Sequence, residues 1–514
     1  MDFLQAATAA TSLLVLLYVL NLLQWFPFIP SLLKNQNKNK KRNYPPVAGT
    51  IFHQLLNLPR LVDFMADISR RYKTTFRMLT PSINYVYIID PANVEYILRT
   101  NFTNYSKGYS FYDVMKDLLG DGIFAVDGDK WRHQRKMASY EFSTKVLRDY
   151  SSVVFKANAS MLCQLVSEAA TLNQMIDIQD LLMKTTLDSI FKVGFGVELK
   201  TLSGTSEEGR AFAKAFDDSS IQVTRRFFDV TWKVKRYLNV GAEAMMKKNI
   251  KIIDDFVYKL IDTKLKQLAE DQDDFMKKED ILSRFLIEKE KDPVNMTNRY
   301  LRDIILNFMI AGRDTTAGTL SWFLYMLCKH PDVQEKVAEE VIQATNMRDK
   351  VPIGEFSLSL TEEVLTRMQY LHAALTETLR LYPAVPLDPK LCSKDDTLPD
   401  GFDVREGDMI IYQPYAMGRM KFLWGEDAEV FRPERWLNED GVFEPENPFK
   451  FTAFQAGPRV CLGKEFAYRQ MKIFAATLLC YLKFKLWDER KPVKYKTMLT
   501  LQIDGGLFLC AINR

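Results

Sequence analysis

The sequence lacks the features that mark several classes of protein. Its six cysteines are scattered and include no CxxC pair, so they indicate reduced thiols rather than a disulfide framework. Its net charge of +4 is too small for 514 residues to favour a nucleic-acid partner. It has no repeat of 20 to 50 residues and no low-complexity tail. It also has no GxGxxG motif, and so carries no dinucleotide-binding fingerprint of its own.

What is present is typical of a large globular protein. Hydrophobic residues make up 47% of the chain and charged residues 26%. Residues 74–90 read as two β-rich runs around a Pro-Ser turn, and strand-like pieces return near residues 407–413 and 499–511. Apolar periodicity predicts helices over residues 91–100, 129–167, 175–195, 240–270, 297–330, 361–382 and 463–482. The pattern predicts a mainly α protein with a small β portion, and it indicates that the charged segment 264–292 is a solvated helix and linker.

The N-terminus predicts a membrane anchor. Residues 3–33 contain no charged residue, and a spanning helix needs ~20 apolar residues. The following run KNQNKNKKR, residues 34–42, has five basic residues, which by the positive-inside rule keeps the body cytosolic. A cleaved secretory signal is the alternative, but such a signal carries its basic residues before the apolar stretch. We therefore predict an anchor over residues 1–33 and a basic run with a Pro-rich hinge over residues 34–50.

One cysteine lies in an unusual loop. The segment FQAGPRVCLG, residues 454–463, surrounds Cys461 with glycines and places Arg459 two positions before it. Since no other cysteine is close in the sequence, a function for Cys461 has to be that of a lone thiolate. The ordinary alternative for such a residue is a buried, inert thiol.

The helix predicted over residues 297–330 has a centre that is poorly suited to a helix. The segment AGRDTTAG contains Gly312 and the β-branched pair Thr315 and Thr316, next to the charged Asp314. Glycine costs ~1 kcal/mol relative to alanine in a helix, and threonine hydroxyls can bond back to the preceding turn. Local rules are broken both for close helix packing and for function, so both explanations stay open.

Two short motifs supply a possible ion-pair network. ETLR puts Glu377 and Arg380 on one face of a helix, and FRPERW, residues 431–436, offers Arg435 as a second partner. Taken alone, such a pair is ordinarily a surface salt bridge worth ~0.5 kcal/mol.

Together these four segments resemble the motifs of the cytochrome P-450 haem-thiolate monooxygenases. FQAGPRVCLG matches the cysteine loop FxxGxRxCxG, AGRDTT resembles [AG]GxDT, ETLR resembles ExxR, and FRPERW resembles the meander motif. Their order fits the family, with the cysteine loop roughly 80 residues after ExxR. The likeness runs from the hinge to the last strand. It implies the cytochrome P-450 fold as a single catalytic domain over residues 51–514.

The resemblance implies a bound haem b (iron protoporphyrin IX) with Cys461 as the axial iron ligand. A thiolate ligand pushes electron density toward bound oxygen. Gly457 and Gly463 would let the backbone approach the porphyrin and adopt unusual dihedral angles. Phe454 would pack on the sulfur side of the ring, and Arg459 would pair with a haem propionate.

A further pair resembles the Trp-xxx-Arg motif that holds the propionates in this family. Trp131 and Arg135 lie one helical turn apart in GDKWRHQRK, although an amphipathic tryptophan with a snorkelling arginine has the same pattern. The sequence departs from the family at Lys390, where an arginine is frequent. A lysine can neutralise a propionate but cannot form a forked contact with it.

The resemblance also implies the mechanism. NADPH would supply two electrons, one at a time, through a flavoprotein reductase, since the chain has no dinucleotide fingerprint. Asp314 and Thr315 would relay protons toward oxygen as general acids. Glu377, Arg380 and Arg435 would form a structural triad on the cysteine side.

For the substrate, residues 118–143 and 311–323 resemble the plant clan that hydroxylates fatty acids at the chain end. We therefore predict ω-hydroxylation of long-chain fatty acids by an enzyme of the endoplasmic reticulum membrane, with its catalytic domain in the cytosol. The alternatives are a monooxygenase of terpenoids or other lipophilic metabolites, a haem-thiolate hydroperoxide isomerase, and a non-catalytic haem binder. The intact pair Asp314 and Thr315 argues against the last two.

Overall fold

The computed structural model describes residues 42–80, 83–143, 145–270, 280–291, 293, 296–346, 351–496 and 498–514. The predicted anchor, residues 1–33, and the basic run up to residue 41 lie outside the described residues. Within the described part of the chain, no helix combines the length and the apolar character that crossing a membrane requires.

Helices make up most of the described structure. They are α1 Ile51–Leu56, α2 Leu61–Tyr72, α3 Pro91–Glu95, α4 Gly108–Leu119, α5 Gly128–Ser143, α6 Lys145–Thr171, α7 Ile178–Phe195, α8 Glu207–Arg226, α9 Trp232–Leu238, α10 Gly241–Glu270, α11 Ile281–Lys291, α12 Asn298–Lys329, α13 Pro331–Thr345, α14 Ile353–Ser359, α15 Glu362–Arg367, α16 Gln369–Leu381, α17 Pro414–Met417, α18 Lys421–Trp424 and α19 Lys464–Tyr481. Short 3₁₀ turns include Pro433–Trp436 and Gly457–Arg459, and a π-helical turn covers Tyr96–Thr100.

The strands are short and form small sheets. They are β1 Val47–Thr50, β2 Phe76–Leu79, β3 Tyr85–Ile88, β4 Tyr105–Ser106, β5 Met175–Asp177, β6 Asp388–Cys392, β7 Asp396–Thr397, β8 Asp403–Val404, β9 Met409–Tyr412, β10 Leu482–Leu486, β11 Tyr495–Lys496, β12 Gln502–Ile503 and β13 Phe508–Asn513. The main sheet has six strands in the order β1-β2-β3-β9-β6-β4, and a second has the order β10-β13-β5. The predicted class, mainly α with a small β portion, is confirmed.

Helix α12 runs through the helical core. It begins, as predicted, after Thr297, whose side chain accepts a hydrogen bond from the backbone N–H of Tyr300 at 3.2 Å, and it ends before Pro331. It packs along α7 and also contacts α10, α16 and α19. Every residue from 301 to 324 is buried except Ala311, Gly312 and Thr315. The centre of α12 therefore has one face that the core does not cover.

The charged segment 264–292 differs from the prediction. Lys264 is buried, and its ammonium group lies 2.9 Å from Asp280 Oδ2, which is buried too. The next residues along the chain, Ile281 and Leu282, are also buried. The prediction of a solvated segment was wrong here. Apolar residues next to the charged ones pack into the core, and the ion pair of Lys264 and Asp280 is buried together with them.

Candidate active site

The cysteine loop holds Cys461 by its backbone. The Cys461 N–H donates to the Phe454 carbonyl at 2.9 Å, which closes the loop ahead of α19. Burial raises the pKa of the Cys461 thiol, while a backbone hydrogen bond from Gly463 and the charges of Arg135 and Lys464 oppose that shift. The sulfur therefore has donors and cations that favour its thiolate form.

The two predicted loop glycines differ in what they contribute. Gly457 has a φ of 67°, and a Cβ atom there would lie 2.1 Å from the carbonyl oxygen of Leu98. Only glycine fits that position, but the close neighbour is the protein backbone. Gly463 has a φ of −92°, and a Cβ there would make ordinary contacts with Phe142 and the Cys461 sulfur. Its expected approach to a porphyrin stays a prediction.

The surroundings of the Cys461 sulfur indicate an internal space, called the Cys461 cavity below. The Cys461 side chain is exposed, yet burial is the largest influence on its thiol pKa. Both observations hold together if the sulfur lines an internal space rather than the outer surface. Phe142 borders Gly463 and stands edge-on to Phe308 of α12, with ring centroids 5.7 Å apart. The face of α12 that carries Phe308 therefore looks toward the cysteine loop.

The uncovered residues of α12 continue that face. Ala311 and Thr315 follow Phe308 by three and seven residues, which places all three on one side of a helix. The Thr315 hydroxyl donates to the Ala311 carbonyl at 2.6 Å, and α12 stays helical throughout. A Cβ atom on Gly312 would lie 2.8 Å from Cδ1 of Ile190 in α7. Glycine thus serves helix packing at Gly312, while the next turn of α12 borders the cavity.

Asp314 is a buried acid with a route to the surface. Its side chain is almost fully buried, and Oδ1 lies 3.3 Å from Nη1 of Arg313. Arg313 directs both Nη atoms at Asp217 of α8, at 2.5 and 3.0 Å, and the Asp217 side chain is 41% exposed. Burial raises the pKa of Asp314 to about 7, against the opposing charge of Arg313. Asp314 can therefore hold or release a proton near neutral pH.

The predicted triad forms a buried network. Glu377 accepts from Arg380 Nε and Nη2, both at 2.8 Å, and from Arg435 Nε at 2.9 Å. The Trp436 indole N–H and the Arg432 backbone N–H also donate to Glu377, each at 2.9 Å. The side chains of Glu377 and Arg380 are fully buried. The pair is a closed internal network rather than the surface salt bridge of the simpler alternative.

The predicted propionate residues meet beside the cysteine loop. The Arg459 guanidinium lies 4.4 Å from the ring centre of Trp131 and bonds Asp127 at 2.7 Å. Arg135 Nη2 donates to the Val460 carbonyl at 2.7 Å. The structure thus brings Trp131 and Arg459 together and sets Arg135 against the backbone next to Cys461. Their contact with a propionate stays a prediction.

Sequence reasoning missed the partners of Lys390. Its ammonium group lies 3.2 Å from Asp388 Oδ2, and Lys107 lies 2.5 Å from Asp388 Oδ1. All three are buried. Burial lowers the pKa of Lys390 to about 7, with Asp388 opposing the shift. The pairing of Lys390 with Asp388 could have been predicted, because the two lie two residues apart. Lys107 is 281 residues from Asp388, and no local pattern connects them.

The residues present fit a haem. A lone cysteine sulfur faces an internal space, which is the donor a haem-thiolate iron requires. Cationic side chains from three elements, at Lys107, Lys390 and Arg459, gather on one side of the loop. Through Phe142, which contacts both Phe308 and the position of Gly463, the uncovered face of α12 is connected to the same loop. A cysteine sulfur and a group of buried cations thus lie together, which is the donor set that a haem with two propionates would require.

Known proteins resemble the chain over nearly its whole length. The sequence model of the Cytochrome P450 family matches residues 44–510. Cytochrome P450 704C1 of Pinus taeda is 52% identical over 480 residues, which cover 91% of this chain and 92% of the relative. Cytochrome P450 704B1 of Arabidopsis thaliana is 47% identical over 507 residues, or 93% and 96% of the two chains. Cytochrome P450 86B1 of the same plant is 39% identical over 463 residues, or 88% and 82%.

Proposed function

This chain belongs to the cytochrome P450 family, and we propose that, as a monooxygenase of that family, it hydroxylates long-chain fatty acids at the terminal methyl group. The observation that carries the proposal is the acid–alcohol pair Asp314 and Thr315 in the α12 segment that borders the Cys461 cavity. The substrate part of the proposal comes from the two segments that resemble the plant ω-hydroxylase clan.

Terminal selectivity has to come from positioning. The C–H bonds of a methyl group are stronger than those of the neighbouring CH₂ groups, so the oxidant by itself prefers the wrong carbon. Selectivity for the chain end then requires a bound geometry in which only that carbon reaches the reacting position. A rigid boundary of the cavity is therefore a requirement of this function.

The loop after α4 supports such a boundary. A Cβ atom on Gly120 would overlap Asp303 of α12, at 2.0 Å from Oδ1, and one on Gly122 would overlap Asn307, at 1.9 Å from Nδ2. The Asp121 N–H also donates to Asp303 Oδ2 at 2.8 Å. The two glycines thus allow the loop to lie directly on α12, and side-chain hydrogen bonds hold it there.

This contact adjoins the cavity. Asn307 precedes Ala311 by one helical turn and Thr315 by two, so the loop 120–126 rests on α12 just beside the uncovered face. Phe124, in the same loop, is 40% exposed although its neighbours Ala125 and Val126 are buried. A firmly held loop of this kind can limit how a lipid chain approaches the reacting atoms.

In the proposed mechanism the chain supplies a ligand, a proton path and a water site. Haem, when bound through Cys461, supplies the activation of O₂ and the oxidation of the C–H bond. Asp314 delivers protons from its buried carboxyl, and Arg313, which stays protonated, binds both that carboxyl and the partly exposed Asp217. Because the Thr315 hydroxyl donates its hydrogen to Ala311, its oxygen is left to accept a hydrogen bond from a water in the cavity.

The proposal includes the surroundings of the enzyme. The cofactor is haem b, electrons come from NADPH through a flavoprotein reductase, and no nucleic acid takes part. Residues 1–33 anchor the protein in the endoplasmic reticulum membrane, residues 34–50 form the basic run and hinge, and residues 51–514 form the catalytic domain in the cytosol. From Val47 onward the hinge segment is strand β1, which pairs with β2 of the main sheet.

Carbon monoxide binding tests the iron ligand. The ferrous protein with carbon monoxide is expected to show the red-shifted Soret band of a thiolate-ligated haem, and Cys461→Ala is expected to abolish it. Cys510→Ala, at a half-buried cysteine on β13, is the matched control and should keep the band. A band that survives Cys461→Ala would mean that another group is the ligand.

Product analysis tests the reaction. With reductase, NADPH and a panel of long-chain fatty acids, the ω-alcohol is expected as the main product. Mainly in-chain alcohols, or oxidation of a terpenoid while fatty acids stay unchanged, would refute the ω-hydroxylase proposal and leave the monooxygenase class. Conversion of a lipid hydroperoxide without NADPH would indicate an isomerase instead.

A further inference from the structure

The buried cluster around Asp388 has more hydrogen-bond donors than its own acceptors can use. Asp388 accepts from Lys107 at 2.5 Å, Tyr412 at 2.6 Å, Gln455 at 2.7 Å and Lys390 at 3.2 Å. Oδ2 takes three of these donors and Oδ1 the ammonium of Lys107. Each ammonium group has three N–H bonds and directs one of them at Asp388. Among the described residues, Asp388 is the acceptor within hydrogen-bond distance of each ammonium group, and Lys107 also lies 4.7 Å from the centre of the Phe111 ring. N–H bonds therefore remain without an acceptor on both buried lysines.

The charges of the cluster do not balance either. When Lys390 is protonated, Lys107, Lys390 and Arg459 carry three positive charges, while Asp388 and Asp127, the partner of Arg459, carry two negative ones. Burial and then the neighbouring cations lower the pKa of Lys390 to about 7, so a further anion would be needed to keep its charge. Arg459 and Lys107 each act electrostatically on Lys390, so the cations are close enough to repel one another. An excess of buried positive charge is costly unless a further anion joins the cluster. The arrangement therefore favours the binding of a further anion, such as a carboxylate.

The position of the cluster identifies the carboxylate. Gln455, which bonds Asp388, lies in the cysteine loop between Phe454 and Cys461. Arg459 lies in the same loop and covers the Trp131 ring. A further anion would therefore lie next to the loop that would hold the haem, where the propionates of that cofactor are the available carboxylates.

We propose that Asp388 is the organising counter-ion of this site: it holds Lys107 and Lys390 side by side so that their remaining donors meet a haem propionate, and its charge lowers the reduction potential of the iron. The inference rests on the haem of the proposed function, but not on its substrate. Asp388 is a positioning residue, since it acts through the two lysines and through its field.

The physical reason is the fixed negative charge in a buried place. A buried charge is weakly screened, so it acts on the iron more strongly than an exposed charge at the same distance. Reduction adds an electron to the iron, and a nearby negative charge opposes that step. Removing Asp388 should therefore raise the potential, whereas removing one lysine should lower it.

The experiment measures the iron potential by spectroelectrochemistry, together with the rate of haem transfer to apomyoglobin, both without substrate. Asp388→Asn keeps the shape of the side chain and removes its charge, and the potential is expected to shift to a more positive value. Lys390→Met is expected to shift the potential in the negative direction and to release haem roughly tenfold faster, as the loss of a charged hydrogen bond implies.

Two controls make the test specific. Lys472→Met removes another buried lysine, whose Nζ donates to the Leu365 carbonyl at 2.8 Å, and it should change neither quantity. The double variant Asp388→Asn/Lys390→Met restores the net charge and should return the potential toward that of the unmodified protein. If Asp388→Asn alone folds poorly, the double variant can be measured in its place, because it no longer leaves two charged lysines around a neutral side chain.

Three results would overturn the proposal. One is an unchanged or more negative potential in Asp388→Asn that still shows the thiolate Soret band. Another is a double variant no closer to the unmodified protein than Lys390→Met. The third is unchanged haem release in Lys390→Met together with weaker binding of laurate in a separate titration of the same variant, which would assign the lysines to the carboxylate of a fatty acid. Absence of the thiolate band from the unmodified protein would instead refute the proposed function.

Discussion

Two buried carboxylates with neighbouring arginines behave differently in this protein. Glu377 on α16 receives the forked guanidinium of Arg380, the Nε of Arg435 and an indole N–H. Asp314 on α12 has one contact of 3.3 Å with Arg313, whose two Nη atoms point to Asp217 instead. The same residue types thus form a closed network in one place and an open chain to the surface in the other.

The number and geometry of the hydrogen bonds that a buried carboxylate accepts indicate whether it is suited to a structural role or to proton exchange. A carboxylate whose acceptor sites are filled by buried donors is a structural hub, because removing it leaves several donors unpaired. A buried carboxylate with one weak partner receives little stabilisation of its charged form, so burial raises its pKa. Glu377 is therefore suited to hold the fold, and Asp314 to exchange protons.

The largest effect is expected for Glu377→Ala. The substitution leaves the buried guanidinium of Arg380 and the indole of Trp436 without their acceptor, which costs about 3–5 kcal/mol for a broken buried pair. The expected outcome is loss of folded, haem-loaded protein, measured by haem content and by chemical denaturation. A normal haem content with an unchanged denaturation midpoint would contradict the closed-network interpretation.

Next in size are Asp314→Asn and Thr315→Ala, which should keep the fold and the haem but lose chemistry. General-acid assistance is worth roughly 10²–10⁴ in rate, so product formation should fall by about that factor. In Thr315→Ala the reducing equivalents are expected to appear as hydrogen peroxide. The measurement is product and peroxide per NADPH consumed.

Thr316→Ala is the matched control for Thr315→Ala, because Thr316 is buried next to it on the same helix and is not on the uncovered face. If Thr315→Ala forms as much product per NADPH consumed as the unmodified protein, the assignment of Thr315 to the proton relay is wrong.

A smaller effect is expected on the pH dependence. Because burial raises the folded-state pKa of Asp314 to about 7, its proton is present below that pH and is lost above it. Product per NADPH should therefore fall as the pH rises through about 7. The same shift affects stability, because a raised pKa means that the folded state binds the proton more tightly than the unfolded state does. The contribution of Asp314 to the free energy of unfolding is therefore fully present below its unfolded pKa, near 3.8, and is lost as the pH rises to about 7.

Asp217→Asn tests the comparison directly. Without Asp217, Arg313 is free to form its fork with Asp314, which would make the site resemble Glu377 and lower the pKa of Asp314. The decline in product per NADPH should then begin at a lower pH. A profile that is identical to that of the unmodified protein would show that Asp217 does not govern Asp314. Asp218→Asn, at the next position on α8, is the control.

The smallest effect is expected for an exposed pair near the closed network. Glu434 accepts from Lys336 at 2.9 Å, with both side chains about half exposed. Solvent screens such pairs, so Glu434→Ala should cost less than about 1 kcal/mol in the free energy of unfolding. A loss as large as that of Glu377→Ala would mean that burial does not explain the difference between the two.

Part of the fold and of the site followed from local pattern. Apolar periodicity predicted the mainly α class and the bounds of α12, because amphipathic spacing depends on nearby residues. The motif segments correctly indicated the family. The contacts of Glu377 with Arg380 could be anticipated too, since residues three apart on a helix share a face. The roles assigned at the haem and the ω-hydroxylase substrate stay predictions.

The sequence by itself determined the candidate residues: one thiol in a glycine-flanked loop and an acid–alcohol pair in a long helix for the chemistry, and a glutamate with its arginines for the scaffold. Only the tertiary structure decided their environment. Asp217 reaches Arg313 across 96 residues and Lys107 reaches Asp388 across 281, and no local pattern predicts such distant contacts. Charge state depends on burial and on the nearest charges in space, so it is a property of the folded arrangement rather than of neighbours in the chain.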